Sequence, residues 1–195
     1  MGKNLITTRR VVIIGMLTAL IVVLGISGLG IIQIPGLPFR ATILHIPVII
    51  GAVLEGPIVG AAIGLLFGAW SIIDKIIRPT PTGFVFFNPL VSLLPRIFIG
   101  IVAYYAYTLF KKRMPEAIAL GFASILATLT NTVGVLGMIY IVYARQYMEI
   151  INRAKEAALP FFAGVAVSNG VPEAIASAIL VPIIVLGVRQ IRRNK

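Results

Sequence analysis

Long apolar runs, separated by short polar or proline-containing segments, occupy most of this 195-residue chain. Crossing the hydrocarbon core of a bilayer, about 30 Å thick, takes a helix of about 20 predominantly apolar residues. The length of the chain therefore allows about six such helices. We predict six spans with these approximate bounds: Val11–Ile31, Ala41–Leu54, Pro57–Ile77, Pro89–Phe110, Glu116–Tyr143 and Pro160–Val188. The charged stretch Ala144–Ala158 is expected to be an amphipathic helical segment outside the membrane.

Glycine recurs at every fourth position from just before the third predicted helix, at Gly56, Gly60, Gly64 and Gly68. A step of four keeps these residues on one helix face, which then lacks side chains over about three turns. In water each interior glycine costs about 0.5–1 kcal/mol relative to alanine. In a bilayer, faces of small residues let helices pack closely. We therefore predict that these glycines form a helix-packing surface.

The second predicted helix is short for a span and carries His45 and Pro47. The sequence Glu55-Gly56-Pro57 then predicts a sharp turn into the glycine-faced helix. A short interrupted helix followed by a glycine-faced one indicates a compact bundle with a cavity, rather than a simple anchor.

The bulk composition supports a membrane protein, since 59% of the residues are hydrophobic and the mean hydropathy is +1.04. Because the chain has no cysteine, disulfides, cysteine-based zinc sites and thiol nucleophiles are excluded. With His45 as its one histidine, the chain cannot form a multi-histidine metal site by itself. We therefore expect no metal or other cofactor.

The net charge of +11 is concentrated in clusters that flank apolar runs. Ten of the 17 lysines and arginines lie in three clusters: Lys3, Arg9 and Arg10; Lys111, Lys112 and Arg113; and Arg189, Arg192, Arg193 and Lys195. Cytoplasmic loops of membrane proteins carry such an excess of positive charge, and we prefer this interpretation to binding of nucleic acid. We therefore expect an all-α membrane protein with one domain over residues 1–195, a bundle of six transmembrane helices with both termini in the cytoplasm.

Arg96 and Glu173 are the ionisable residues that lie deepest in the predicted spans. A charge at mid-membrane costs about 2.5–3.5 kcal/mol on insertion scales, so each side chain needs a partner or a hydrated cavity. Two interpretations remain open. The residues form a structural ion pair between the fourth and sixth predicted helices, or one or both reach a buried substrate.

Uncharged polar residues in the spans are further candidates for substrate contacts. Asn88, Asn131 and Asn169 lie on three different predicted helices. Together they offer donors and acceptors without charge, which suits a polar solute, whereas a single amide can simply bond a neighbouring helix. His45 has the same two interpretations. Tyr140, near the outer end of the fifth predicted helix, is typical of the membrane interface.

Motifs of common enzymes are absent from the sequence. The chain has no H-E-x-x-H, G-x-S-x-G or Walker A motif, and we do not expect an enzyme. Without a Walker motif, an ATP-driven role requires partner subunits. The alternative from another class is a self-sufficient channel or secondary transporter, although the two related halves common in secondary transporters are not evident here.

Two stretches carry a resemblance to a known family: ATILHIPVIIGAVLEGPIVGAAIGLLFGAW at 41–70 and FFNPLVSLLPRIFIGIVAYY at 86–105. With the six spans and the small-residue pair Gly15 and Ala19, the chain resembles the substrate-binding S-components of energy-coupling factor (ECF) vitamin transporters. The resemblance covers essentially the whole chain. It is closest to the branch that contains pantothenate and riboflavin S-components.

The resemblance implies an outward-facing vitamin pocket on the fourth to sixth helices, roofed by the loops between helices one and two and helices three and four. It also implies that the first three helices dock onto a transmembrane coupling subunit with two cytoplasmic ABC-type ATPases, in a prokaryotic plasma membrane. Gly15 and Ala19 match the docking face. The positions that match the pocket region are Asn88, Arg96, Asn131, Tyr140, Asn169 and Glu173.

The identity of the vitamin depends on the polar groups of this pocket. An arginine favours a carboxylate vitamin such as pantothenate, whereas a pocket rich in aromatic and amide groups would also suit the flavin ring of riboflavin. We expect pantothenate, with riboflavin or another vitamin as the alternative.

Overall fold

The computed structural model describes residues 7–33 and 40–194, and this part of the chain is almost entirely helical. Its elements are α1 (Thr8–Ser27), β1 (Ile31–Gln33), β2 (Arg40–Thr42), α2 (Ile46–Glu55), α3 (Pro57–Ile77), α4 (Pro89–Ser92), α5 (Leu94–Phe110), α6 (Glu116–Ile150) and α7 (Ala158–Arg193), with short 3-10 helices at Gly83–Phe87 and Lys155–Ala157. Five helical segments of the described part are long and apolar enough to cross a membrane: α1, α3, α4 with α5, α6, and α7 with the 3-10 turn before it. The predicted helical class is confirmed, while the count of six crossings and the cytoplasmic location of both termini stay predictions.

The first helix ends earlier than predicted. α1 stops at Ser27 rather than at Ile31, because Gly28 adopts the left-handed conformation (φ 74°) that ends many helices. The chain then forms β1, which pairs antiparallel with β2. The predicted roof loop between the first two helices falls largely on residues 34–39, outside the described residues.

The second helix starts later than predicted. α2 begins at Ile46, not at Ala41, and Pro47 lies in its first turn, where a missing backbone N–H leaves no helical bond unmade. Ala41 and Thr42 belong to β2 instead, and residues 43–45 lead from the strand into the helix.

The fourth predicted span is interrupted at Leu93, which separates α4 from α5. Pro95 accounts for the break, since it has no N–H to donate to the carbonyl of Val91. α6 and α7 are both longer than predicted. α6 continues into the stretch expected to be a separate amphipathic segment, and α7 includes most of the basic tail.

The glycine face of α3 packs against α5, while α3 itself has the bounds predicted for it. A Cβ atom at Gly60 would lie 3.0 Å from the Cα atom of Gly100, and one at Gly64 would overlap the carbonyl of Arg96. Gly68 lies in the same way against the break between α4 and α5. These glycines therefore let the two backbones touch.

Gly56, the first of the four predicted packing glycines, lies outside this interface. It has a φ of 103° at the junction of α2 and α3, and a Cβ atom there would have no described neighbour within 4 Å. Its backbone conformation, which other residues rarely adopt, forms the sharp turn between the two helices.

Ion pairs gather the basic clusters at one end of the bundle. Arg9 of α1 and Arg192 of α7 both bind the carboxylate of Glu55, at 2.8 and 2.9 Å. Arg189 of α7 binds Glu116, which follows the central basic cluster. The N-terminal, central and C-terminal clusters therefore lie on the same side of the described structure.

We expect Gly64→Ala to lower the free energy of unfolding by about 1–3 kcal/mol, because the new methyl group overlaps the Arg96 carbonyl and forces α3 away from α5. Gly187→Ala is the matched control, since a Cβ atom there has no described neighbour within 4 Å, and it should be neutral or stabilising. Thermal unfolding in detergent measures both variants. Equal midpoints would contradict the packing role of Gly64.

Candidate functional site

A cavity of about 410 Å³ lies between the last turns of α3 and the segments that cover them. Its walls include Thr42 of β2, Phe67 and Trp70 of α3, Phe86 of the first 3-10 helix and Arg96 of α5. Pockets for small molecules commonly measure about 300–1,000 Å³. The cavity is therefore large enough for a small organic ligand.

Arg96 is a buried cation, 6% exposed, with no carboxylate within 4.0 Å in the described part of the chain. Its Nη1 donates to the carbonyl of Val91, the group that Pro95 leaves free. The guanidinium lies 5.7 Å from the ring centroid of Phe67 and 5.6 Å from that of Phe86. Its Nε has no hydrogen-bond partner among the described residues. Because a buried charge requires compensation, the site can accept an anionic group here.

Glu173 does not form the direct ion pair with Arg96 that was one of the two predicted possibilities. Its Oε1 accepts a hydrogen bond from the backbone N–H of Thr42 at 2.7 Å and lies 3.4 Å from the Thr42 hydroxyl, and the hydroxyl of Thr132 donates to Oε2 at 3.4 Å. The charges of Glu173 and Arg96 attract each other only from a distance. The carboxylate instead holds β2 against α6 and α7.

A second polar layer lies one helical turn nearer the basic end of the bundle. His45 Nε2 is 2.9 Å from the hydroxyl of Thr128, which is also 2.9 Å from the hydroxyl of Ser177. All three residues are fully buried. His45 therefore joins α2 to α6, and its role in substrate binding stays a prediction.

The other predicted contacts do not line the cavity around Arg96. Asn88 donates to a tyrosine hydroxyl of α6 at 3.2 Å, and Tyr140 packs edge-on against Phe162 with ring centroids 6.1 Å apart. Asn131 is buried on α6, where its Oδ1 has no described partner, and Asn169 is half-buried on α7. Their roles in binding also stay predictions.

A comparison with known protein families matches residues 9–185 to the ECF transporter, substrate-specific component. The chain belongs to this family. The S-component is 29% identical over 198 residues to the pantothenic acid transporter PanT of Lactococcus lactis subsp. cremoris, an alignment that covers 94% of this chain and 95% of the relative. It is 30% identical over 183 residues to the pantothenate transporter PanT of Leuconostoc mesenteroides subsp. mesenteroides, covering 92% and 88%. The family resemblance seen in the sequence is confirmed.

Several cavity residues of this S-component were missed by the sequence analysis. Thr42, Asp74 and Lys75 line the cavity but were not predicted to bind substrate. For Asp74 and Lys75 the sequence did contain a signal. Three charged residues, Asp74, Lys75 and Arg78, lie close together at the end of an apolar helix. No comparable signal marks Thr42, because the group that bonds Glu173 most closely is its backbone N–H.

A larger cavity between α6 and α7 measures about 530 Å³. It is lined almost entirely by aliphatic residues and glycine, with Thr132 as its polar residue. Such a groove suits lipid tails rather than a charged solute. The buried cation therefore distinguishes the cavity around Arg96.

We expect Glu173→Ala to destabilise the protein by about 1–3 kcal/mol, because the part-buried N–H of Thr42 loses its acceptor. Glu173→Gln keeps an acceptor oxygen and should cost less. Thr42→Ala is the control, since it removes only the hydroxyl and retains the N–H. Thermal unfolding in detergent compares the three variants. Equal losses in Glu173→Gln and Glu173→Ala would show that the charge, and not the hydrogen bond, stabilises the fold.

Proposed function

We propose that this S-component captures pantothenate outside the cell for uptake by an ATP-driven importer of the prokaryotic plasma membrane. The observation that carries the proposal is the buried Arg96 guanidinium, which lines a cavity and has no carboxylate partner in the described structure. Pantothenate supplies a carboxylate, together with an amide and a pair of hydroxyl groups. The names of both relatives support the same substrate.

The charge of Arg96 also separates pantothenate from riboflavin, the alternative substrate. A neutral flavin ring would stack on Phe67 or Phe86 but would leave the cation without an opposite charge. Ligands that leave a buried charge uncompensated bind poorly. The cavity therefore favours the carboxylate vitamin.

The topology we propose has six crossings, with both termini in the cytoplasm. α2, with 10 residues, is only about 15 Å long, so β2 must extend this crossing. The bond from Thr42 to Glu173 supports this arrangement, since irregular backbone is tolerated at membrane depth where the protein satisfies it. The gathering of the basic clusters around Glu55 and Glu116 supports a cytoplasmic location for that end.

The partners we propose are a transmembrane coupling subunit and two ABC-type ATPases, with α1 as the docking face. Gly15 and Ala19 are exposed, and a Cβ atom at Gly15 would have no described neighbour within 4 Å. Met16 and Val23 of the same helix are 67% and 58% exposed. An uncovered helix with small residues allows another helix to approach closely in a bilayer.

Arg96→Gln should weaken pantothenate binding at least tenfold, a loss of about 1.4 kcal/mol or more, because the carboxylate loses its charged partner. Arg145→Gln makes the same change on an exposed side chain and should bind normally. Calorimetric titration of the purified variants with pantothenate and riboflavin measures the effect. Unchanged affinity in a folded Arg96→Gln variant would remove this residue from the site.

Gly15→Leu combined with Ala19→Leu should block transport while leaving binding nearly unchanged, since the added side chains keep the coupling subunit away. Gly164→Leu on α7 is the control, because Gly164 is also exposed and also has no described neighbour within 4 Å of a Cβ atom. Uptake into proteoliposomes that contain the coupling subunit and both ATPases is the measurement. Full uptake by the double variant, or uptake without the ATPases, would contradict the proposed assembly.

A further inference from the structure

We propose that the substrate binds carboxylate first, with its carboxylate at Arg96 and its hydroxyl groups at Asp74 in the mouth of the cavity. The inference rests on the proposed function, since it takes pantothenate as the ligand. It also predicts which ligands the cavity excludes: derivatives in which the carboxylate is extended through an amide, such as pantetheine, do not fit into its inner end.

The exposure of the lining residues distinguishes an inner end from an outer end. Arg96 and Phe67 are 6% and 5% exposed. The side chains of Asp74, Lys75 and Arg78 are 20%, 27% and 46% exposed. Arg96 therefore lies at the closed end of the cavity, and the cluster of three charges lies at its mouth.

The two ends differ in how directly their cations are paired with a carboxylate of the protein. At the mouth, Lys75 donates to Asp74 at 2.9 Å, and Arg78 lies 3.9 Å from the same carboxylate. Arg78 also donates to two carbonyls at the end of α1, at 3.4 and 3.2 Å. Arg96 contacts a carbonyl and two aromatic rings but no carboxylate of the described chain. Glu173 attracts Arg96 only from a distance, so Nε of Arg96 remains free to donate to a ligand carboxylate, whereas both cations at the mouth are already engaged with Asp74.

The opposite orientation brings like charges together. A ligand carboxylate at the mouth would lie beside Asp74, and two carboxylates in one site repel each other. Hydroxyl groups carry no charge and can donate hydrogen bonds to Asp74, which is an acceptor in its ionised form. Ser71, whose hydroxyl donates to the carbonyl of Phe67 at 3.1 Å, keeps acceptor capacity for the same end of the ligand.

Both ends of the cavity lie close to the ring of Phe86, which limits the distance between them. Lys75 Nζ and Arg96 Cζ lie 6.0 and 5.6 Å from the ring centroid of Phe86. The two cations are therefore at most about 12 Å apart, the length of an extended chain of three to four residues, and an extended pantothenate is nearly as long. A group attached beyond the carboxylate would collide with Arg96 or Phe67, because that end is closed.

The test compares pantothenate with pantothenol, in which an alcohol replaces the carboxylate without changing the length. The wild-type protein in nanodiscs should prefer pantothenate by about tenfold or more. Arg96→Gln should abolish this preference, Lys75→Gln should retain it, and Asp74→Asn should weaken both ligands by a similar factor. Pantetheine should fail to displace labelled pantothenate from the wild-type protein, a measurement that needs no variant.

The outcomes separate this inference from the proposed function. Loss of the preference in Lys75→Gln but not in Arg96→Gln, or displacement by pantetheine, would reverse the orientation while pantothenate remained the substrate. Equal affinity of the wild-type protein for pantothenate and pantothenol would show that no cation recognises the carboxylate. A wild-type protein that does not bind pantothenate would overturn the proposed function, and the orientation with it.

Discussion

The close approach of α3 to α5 is the constraint on which the site depends. Gly60 and Gly64 of α3 have no side chain to separate the two backbones, so the backbone at Arg96 lies directly on Gly64. The guanidinium is fixed as well, because Pro95 leaves the carbonyl of Val91 free and this carbonyl accepts a hydrogen bond from Nη1. The main chain of Arg96 is therefore held by the backbone at Gly64, and its side chain by the carbonyl of Val91. For the ligand proposed above, such preorganisation of the cation would reduce the ordering cost of binding.

The separation of Arg96 from Glu173 has a chemical consequence. A direct pair would have stabilised both charges at once but would have left little attraction for an anionic ligand. Glu173 is instead stabilised by Thr42 and Thr132, groups that carry no charge. Its carboxylate therefore strengthens the fold by holding β2, while the positive charge remains at the cavity wall. Hydrogen bonds thus satisfy one buried charge without neutralising the other.

Features of the fold that repeat along the sequence could be predicted from it. Features that depend on a short strand or on one backbone hydrogen bond could not. The bounds of α3 and the packing of Gly60, Gly64 and Gly68 follow from a four-residue repeat that only a helix converts into a face. The hairpin escaped prediction because strands of three residues are too short to show a period. Arg96 was predicted as a candidate for substrate binding because a charged residue inside a span requires a partner or a hydrated cavity. The acceptor role of Glu173 was not, since the bond from Thr42 is a main-chain contact that sequence does not encode.

α1 connects the proposed docking face with the cavity around Arg96. Its first half carries the exposed Gly15 and Ala19, while its last turns contribute Gly25 to the cavity wall and two carbonyls to Arg78. A helix of 20 residues is about 30 Å long and stiff, so a tilt at one end displaces the other. Gly25 also packs against the indole of Trp70, where a Cβ atom would lie only 2.6 Å from Nε1. This contact has no free space to absorb a displacement. If the coupling subunit docks on Gly15 and Ala19, as we propose, a displacement of α1 there would also reshape the cavity wall at Gly25.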